Sequence, residues 1–560
     1  MSPQRTGGRL LADQLTRQGC QICFCVPGES YLPLLDGLHD HRERIRVITC
    51  RHESAAANAA EAYGKLTGRP GVCLVTRGPG ATQAAVGVHT ARQDSTPLIL
   101  MVGQVARGHR GREAFQEIDC DRVFGSMAKA VFDVDDPDRL PEIVAAAFSI
   151  AASGRQGPVV ISLPEDVLAA ATDAADAPRA GAREPTADPG EIDQLRERLA
   201  AAERPLVLVG GGPWDDTACV QLAGWATSAH LPVAASFRRQ DLVDNELACY
   251  VGDVGLGVNP KLARRIADSD LLLAIGPRLT ETETQGYTLP SSPPAAPSLV
   301  HVHPDPVELG RVYQPGQAIL SGMRSFAAAL GQSVSVSGER WREWSAQARA
   351  EYEAWSTPAA RPGAGVDLAR VMQTLRAELP EDAIVCNGAG NYTVWIHRFL
   401  RYRRRATQLA PQSGAMGYGI PAAIAAQLLH PDRAVVALAG DGCFQMCAQE
   451  LATIVQERLP ILVIVANNRM LGTIRMHQER RFPGRVIATD LVNPDFAAYA
   501  RSFGIHAERV EDADAFPAAL ARARATVGPA LIEVLTDPEA LTPAASLSQT
   551  REQALAAIRR

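Results

Sequence analysis

The sequence predicts three successive doubly wound α/β domains, each a parallel sheet covered by helices on both faces. Three observations point there. The chain has 560 residues, several times the usual domain size of roughly 100–200 residues. Short, nearly continuous apolar runs alternate with helix-length amphipathic segments throughout, the pattern of strands buried on both faces. Two stretches rich in Ala, Pro, Gly and Asp, 172–190 and 356–366, lack apolar periodicity and read as linkers. They divide the chain into blocks 1–171, 191–355 and 367–560.

The first block opens with an amphipathic helix over Gly8–Gln18. Strands follow at Ile22–Val26, Val47–Thr49, Gly71–Val75, Leu98–Val102 and Val159–Leu163, with a helix of small residues over Glu53–Thr67 between the second and third. The middle block offers strands at Pro205–Val209, Pro232–Ala234, Leu271–Ile275 and Leu299–Val302. The last offers Ala383–Cys386, Ala434–Ala439, Leu462–Ala466 and Ala530–Glu533. No sequence repeat links the blocks, although the architecture itself can repeat.

Composition removes several function classes. Apolar residues make up 46% and charged residues 21%, which excludes wholesale disorder. Lys plus Arg is 56 against 62 for Asp plus Glu, a net charge of −6, which argues against a broad basic nucleic-acid surface. The basic run Arg401–Arg405 reads as a solvated helix end or loop rather than an anion site. No apolar run approaches the roughly 18 residues of a membrane helix, Leu459–Ala466 being strand-sized. The N-terminus leads into an amphipathic pattern without the apolar core of a signal peptide. Neither nucleic acid nor membrane is an expected partner. Cys20, Cys23 and Cys25 form a CxxCxC cluster, but zinc would require a second Cys or His pair at ligand spacing. In the strand-like run Gln21–Val26 they read as buried thiols, consistent with a reduced, cytoplasmic setting.

In such sheets ligands bind beyond the carboxyl ends of the strands. The most specific signal lies there, in the third block: Ala439-Gly-Asp-Gly-Cys-Phe444, then Leu462-Val-Ile-Val-Ala-Asn-Asn468. One helix between two parallel strands returns Asp441 and Asn468 to the same edge. A carboxylate, an amide oxygen and a nearby backbone carbonyl make a hard-oxygen site of the kind magnesium takes, leaving positions for phosphate and water. Gly440 and Gly442 permit a tight turn, and a helix beginning near Cys443 offers N–H groups to an anion. Either motif alone is ordinary turn punctuation; order, spacing and strand context together carry the reading. The first block adds Arg51-His-Glu-Ser54, an acid at a strand-to-helix junction. By itself Glu53 reads equally well as a helix-dipole partner.

With these motifs the chain resembles the thiamine-diphosphate enzymes, whose pattern is GDG followed by NN at about this interval. The resemblance covers nearly the whole chain, in the order pyrimidine-binding, central and diphosphate-binding domain. It implies that Asp441, Asn468 and the main-chain carbonyl of Met470 hold Mg2+, which clamps the cofactor's diphosphate. It implies that Glu53 contacts the cofactor's pyrimidine ring, where a proton-carrying acid stabilises the imino tautomer that deprotonates C2; burial against the cofactor would raise its proton affinity. Met416 falls where relatives place an apolar wedge beneath the cofactor, and Gly414 where a carbonyl receives its amino group. Gly388, Gly390 and Asn391 are expected at the diphosphate, with Pro27 and Gly28 at the cofactor. In this family the cofactor spans two subunits, so a homodimer is the minimum unit and a homotetramer is compatible.

The resemblance is closest to acetolactate synthase large subunits. The segments that carry it are Thr76-Arg-Gly-Pro-Gly-Ala-Thr82, Pro97–Gln104, Ala114-Phe-Gln-Glu117 and Gln449-Glu-Leu-Ala-Thr453. Phe115 and Gln116 correspond to residues facing cofactor and substrate. There are also departures. Glu29 and Ser30 follow Pro27-Gly28 where synthases carry small residues; Glu29 is either an exposed loop residue or an inward charge. His477 stands near the position of a synthase tryptophan. Thr280-Glu-Thr-Glu-Thr284 replaces a stretch that carries an arginine for the acceptor carboxylate, a loss that should weaken a 2-oxoacid acceptor unless Arg475 or Arg278 compensates.

The expected activity is decarboxylation of a 2-oxoacid followed by ligation to a carbonyl acceptor. The alternatives within the family are a non-ligating decarboxylase, a flavin-linked oxidase and an acyl-CoA lyase. From other classes, a nicotinamide dehydrogenase is disfavoured by the missing GxGxxG, and a non-catalytic scaffold by the paired presence of Glu53 and the Asp441/Asn468 motif. In the central block, Val209-Gly-Gly-Gly-Pro213 and Asp305 are weak nucleotide signals. Related enzymes use this domain for FAD, for ADP or for nothing, and the sequence leaves FAD open.

Overall fold

The computed structural model describes residues 5–291, 295–333, 337–359, 363 and 365–558. Among these residues lie three six-stranded sheets, parallel throughout. The first is built from β1 (Ile22–Cys25), β2 (Arg46–Thr49), β3 (Gly71–Val75), β4 (Leu98–Gln104), β5 (Ala130–Asp133) and β6 (Pro158–Pro164). The second contains β7 (Pro205–Val209), β8 (Val233–Ala235), β9 (Tyr250–Asp253), β10 (Leu271–Ile275), β11 (Ala295–His303) and β12 (Gln314–Leu320). The third has β13 (Ile384–Asn387), β14 (Gln408–Leu409), β15 (Val435–Gly440), β16 (Leu462–Asn467), β17 (His506–Val510) and β18 (Ala530–Leu535).

The outer two sheets repeat one topology: the orders are β2-β1-β3-β4-β6-β5 and β14-β13-β15-β16-β18-β17. The central sheet runs β9-β8-β7-β10-β11-β12, the order of a dinucleotide-binding fold. The outer two orders turn back at their far edges, at β6-β5 and β18-β17, and every order reverses internally, between β1 and β3, between β7 and β10, and between β13 and β15. These internal reversals place three crevices at the carboxyl ends of the strands. Inner strands such as Leu271–Ile275 and Pro158–Pro164 are wholly buried and mostly Val, Ile and Leu, so the sheets are sandwiched between helix layers.

Packing gathers the chain into two compact units. One comprises residues 1–183, 411–431 and 447–459; the other comprises 184–410, 432–446 and 460–560. In the first unit, the small-residue helix Glu53–Thr67 packs against the helices Gly78–Asp94 and Gly419–Leu429. Close approach is why it is rich in alanine. A Cβ on Gly71 would lie 1.9 Å from the Ala60 carbonyl, and one on Gly87 only 2.4 Å from the Ala57 methyl. Residues 173–188 carry no regular secondary structure, and Gln14 and Gln18 hold their backbone at Ala177, Pro178 and Ala180. Of the stretch 356–366, residues 360–362 and 364 lie outside the described residues.

The basic run departs from the expectation of a solvated end. Arg401 is buried, donates to Glu353 and Ser356 and reaches Glu246 at 3.1 Å; Arg403 pairs with Asp244 and Glu381, and Arg405 with Asp216. Arg401 is thus a buried, ion-paired pin, while Arg404 is exposed and Arg405 pairs with a surface carboxylate. All eleven cysteines are buried and none is in a disulfide, and burial pushes Cys25 up to about 12. No helix among the described residues is long and apolar enough to cross a membrane.

Candidate active site

The crevice of the third sheet assembles residues from three neighbouring strand ends. β13 runs into Gly388–Asn391, β15 into Asp441, and β16 into Asn468, with Gly440 registered against Ala466. Asp441 and Asn468 therefore do return to one edge. The helix after β15 begins at Asp441 itself rather than near Cys443, and it is short, ending at Gln445. Tyr392 ties the turns together. Its hydroxyl accepts the Gly388 N–H at 3.0 Å, and Cβ atoms on Gly390 or Gly440 would each lie 3.0 Å from its ring. Asn391 accepts a hydrogen bond from Thr473 at 2.8 Å, and a Cβ on Gly472 would fall 3.2 Å from the Asn468 amide nitrogen.

Asp441 is buried, and its partners are neutral. Oδ1 accepts the Gly442 N–H at 2.9 Å and Oδ2 the Asn493 amide at 2.8 Å, while burial raises its proton affinity. A buried carboxylate among neutral donors is the place for a cation. Asn468 Oδ1 accepts the Met470 N–H at 3.2 Å, and the Met470 carbonyl accepts the Gly472 N–H at 3.0 Å; each oxygen keeps a lone pair. A carboxylate, an amide oxygen and a carbonyl suit Mg2+ in chemistry and in number, with phosphate and water completing the shell. These residues would hold the metal and the diphosphate.

In the first unit, the crevice between β1 and β3 gathers the other expected residues. Glu53 opens its helix with His52 as N-cap, half-buried, and a Cβ on Gly80 would stand 3.3 Å from Glu53 Oε1. Gly28, after Pro27, lies against Thr76. Gln116, at φ +63°, presents its carbonyl to the Gly78 N–H at 2.9 Å, so its loop closes on the same turn. Phe115 beside it is 73% exposed, an apolar side chain with nothing packed over most of it. Glu29 points outward and pairs with buried Arg77 at 2.7 Å, so it adds no inward charge.

Gly414 and Met416 also belong to this unit. Gly414 has φ +71°, and Met416 is half-buried. Asp94 holds their loop by accepting the N–H groups of Gln412 and Ser413 at 2.8 and 3.3 Å. Asp94 in turn pairs with Lys65, which also reaches Glu61 at 3.3 Å, and Tyr418 donates to Glu61 at 2.5 Å. Burial pushes Glu61 up despite the ammonium beside it. Upstream of Glu53, the buried Glu450 accepts the Arg51 N–H at 2.9 Å and the Thr453 hydroxyl at 2.6 Å, fixing the turn into the helix.

Sequence reasoning missed Asn493, Tyr392, Glu450 and the Lys65 network. Glu450 lies inside the segment Gln449–Thr453, but the sequence does not show its bond to the Arg51 N–H. Asn493 acts across 26 residues or more, Tyr392 locally on the Gly388 N–H, and Lys65 both across the fold to Asp94 and one helical turn away to Glu61. The candidate acceptor arginines are both committed. Arg475 lies against Glu479 and Asp490, and Arg278 against Glu308. Within Thr280–Thr284, Glu283 is buried and accepts the N–H and hydroxyl of Thr280, bracing its own turn. His477 is exposed, and what burial it has, with Arg480 and Arg481 nearby, lowers its proton affinity. In the central sheet the glycine run is occupied by packing: a Cβ on Gly211 would lie 2.0 Å from the Gly276 carbonyl, so the two turns of that crevice touch backbone to backbone. Asp305 accepts the Val307 N–H at 3.0 Å, capping its own turn.

Comparison with known proteins matches this geometry. Residues 5–123 match the N-terminal TPP binding domain of thiamine pyrophosphate enzymes, 192–330 their central domain, and 388–534 their C-terminal TPP binding domain. The acetolactate synthase isozyme 2 large subunit of Escherichia coli (strain K12) is 32% identical over 533 residues, covering 95% of this chain and 95% of that protein. The acetolactate synthase large subunit of Parasynechococcus marenigrum is 34% identical, covering 94% and 87% respectively. That of Corynebacterium glutamicum is 32% identical, covering 93% and 85%. Three matched domains, on three sheets whose outer pair presents a glutamate after β2 and an Asp-Asn oxygen site after β15 and β16, lead to one assignment. The chain belongs to the thiamine pyrophosphate enzyme family, as a thiamine-diphosphate-dependent enzyme of the carboligase/decarboxylase type related to acetolactate synthase large subunits.

Proposed function

We propose that the protein is a Mg2+- and thiamine-diphosphate-dependent carboligase that decarboxylates a 2-oxoacid and joins the remainder to a carbonyl acceptor, as in acetolactate synthesis. The observation that carries it is buried Asp441, held by neutral donors beside Asn468 at adjacent strand ends. Bound thiamine diphosphate supplies the carbon nucleophile and the electron sink for decarboxylation. The chain does the rest. Asp441, Asn468 and the Met470 carbonyl hold the metal, and Gly388, Gly390, Asn391, Gly440 and Gly442 let the backbone approach the diphosphate. Glu53 carries the proton exchanged with the pyrimidine ring, its carboxyl being the group that must hold and release it. Pro27 and Gly28 border the cofactor, Gly414 offers a carbonyl, and Met416 offers an apolar support. Phe115 and Gln116 face cofactor and substrate.

The resemblance that assigns Glu53 and the metal ligands to opposite subunits makes a homodimer, or a homotetramer, the working assembly. Eleven buried cysteines outside any disulfide support a reducing, cytoplasmic setting. A small-molecule 2-oxoacid is the donor. For the acceptor, the commitment of Arg475 and Arg278 to carboxylates favours a second reading, in which the acceptor is a carbonyl compound without a carboxylate. FAD remains a separate question for the central domain, read directly from flavin absorbance of the purified protein.

The test is NMR of labelled pyruvate incubated with enzyme, Mg2+ and thiamine diphosphate. Acetolactate is the expected product. Acetaldehyde alone would replace ligation by simple decarboxylation. Unchanged pyruvate from cofactor-loaded protein would overturn the choice of donor, and product formed only with an added aldehyde would select the second acceptor reading.

A further inference from the structure

The segment between the helices Gly472–Arg481 and Phe496–Arg501 carries no motif, yet it folds back onto the proposed metal site. Asp490 pairs with Met470 in an isolated antiparallel bridge. The Leu471 N–H reaches the Thr489 carbonyl and the Leu491 N–H the Arg469 carbonyl, each at 2.8 Å. The loop carrying the Met470 carbonyl is thus laced to residues 489–491 on both sides of Met470. Two residues further on, the Asn493 amide nitrogen donates to Asp441 Oδ2 at 2.8 Å and to Asn467 Oδ1 at 2.9 Å. The carboxylate of Asp441 only accepts, and Asn467 donates its own N–H to Glu533, so the nitrogen end of the Asn493 amide faces both, and its oxygen accepts from Gln445 at 2.6 Å. The far side of the network is equally anchored. Asn467 donates to buried Glu533 at 2.7 Å, and Phe496 stacks edge-to-face on Phe444 with ring centres 5.1 Å apart.

We infer that Asn493 is a positioning residue for the metal: one amide sets the two ligand-bearing strand ends, at Asp441 and at Asn467-Asn468, in register with each other. The inference rests on the reading of Asp441 and Asn468 as metal ligands. The bonding supports it chemically. With Gly442 on Oδ1 and Asn493 on Oδ2, the Asp441 carboxylate is fixed about its own axis, and each oxygen keeps a lone pair outside those bonds. Without Asn493 the carboxylate could rotate, and the β15 and β16 ends would lose their side-chain tie. Asn493 itself needs no contact with the ion, because it acts through Asp441 as outer partners of metal ligands do.

The experiment counts Mn2+, a paramagnetic substitute for Mg2+, by electron paramagnetic resonance in full-length protein at saturating thiamine diphosphate. Asn493→Ala should weaken Mn2+ binding by about 10–100-fold, the usual cost of losing an outer partner of a metal ligand. Turnover should recover at saturating metal, a recovery that a collapsed fold would not give. Gln445→Ala should shift affinity in the same direction and by less, and it serves as the measurement if Asn493→Ala does not fold. Wild-type Mn2+ affinity in a folded Asn493→Ala, or in Gln445→Ala where only that variant folds, would overturn the inference. Asp441→Ala separates the two levels. If it binds Mn2+ like wild type, the metal-site reading falls and the inference with it; if it does not bind while Asn493→Ala binds normally, only the inference falls.

Discussion

The first and third sheets share one strand order and one reversal point, yet the chemistry at their crevices is opposite. Between β1 and β3 the structure gathers small residues, Gly28, Gly78 and Gly80, around a single half-buried acid, Glu53. Between β13 and β15 it gathers backbone turns and a buried carboxylate, Asp441, with amide neighbours. The carboxylates deeper in the first unit differ again. Glu61 and Asp94 are buried beside their own cation, Lys65, whereas Asp441 is held by neutral groups. Topology supplies the place, and the company each acid keeps decides whether it is structural, waits for a cation, or carries a proton.

That contrast can be broken from several sides. The largest effect is expected from Asp441→Ala. It should abolish metal-dependent thiamine diphosphate binding, beyond the roughly 100-fold that marks loss of an outer partner, as followed by calorimetry with and without Mg2+. Glu53→Gln should keep the cofactor and the metal but slow C2 proton exchange by about 10²–10⁴-fold, read by NMR in deuterated buffer. Equal exchange in mutant and wild type would erase the distinction between the two crevices.

A structural acid should behave differently. Lys65→Met leaves Glu61 and Asp94 buried without their ammonium, and a loss of about 3–5 kcal/mol is expected in thermal or urea unfolding. Part of it should return on acidification, because burial already pushes Glu61 up and its neutral form needs no cation.

An effect that develops only as pH rises concerns the central sheet, where burial pushes Asp253 up to about 8. A raised carboxyl favours folding below its unfolded value near 4 and loses that contribution as pH rises towards about 8. Asp253→Asn should therefore match wild type near pH 4 and exceed it by up to about 1.4 kcal/mol for each pH unit above that, the gap levelling off above pH 8, where the buried charge is gone. Parallel pH–stability curves for the two proteins would show that Asp253 keeps an ordinary affinity for its proton.

The same contrast explains what sequence reading could reach. Thirteen of the eighteen sheet strands stand out as apolar runs, and the five that do not are all at sheet edges: β5, β9, β12, β14 and β17. An edge strand buries fewer side chains. Gln314–Leu320 alternates exposed and buried positions, and Gln408–Leu409 is two residues long, so neither rises above its surroundings. At the crevices, Asp441, Asn468 and Glu53 are legible because turn geometry confines them to short motifs. Asn493 and Gln445 are not, because their bonds join segments that only the folded chain brings together. The second and third glycines of Gly210-Gly-Gly212 illustrate the reverse hazard. A run that reads as a phosphate cradle is at Gly211 a contact between two turns.

The helix Gly419–Leu429 and the segment 447–459 pack with the first 183 residues, although the strands on either side of them belong to the third sheet. On the ribosome, the first unit therefore stays incomplete until residue 459 has emerged. For most of synthesis the alanine face of Glu53–Thr67 waits without one of its covering helices, and Lys65, Glu61 and Asp94 wait without Tyr418. A gene fragment ending at the first linker would make this transient permanent, so the amino-terminal block is best produced only as part of the whole chain.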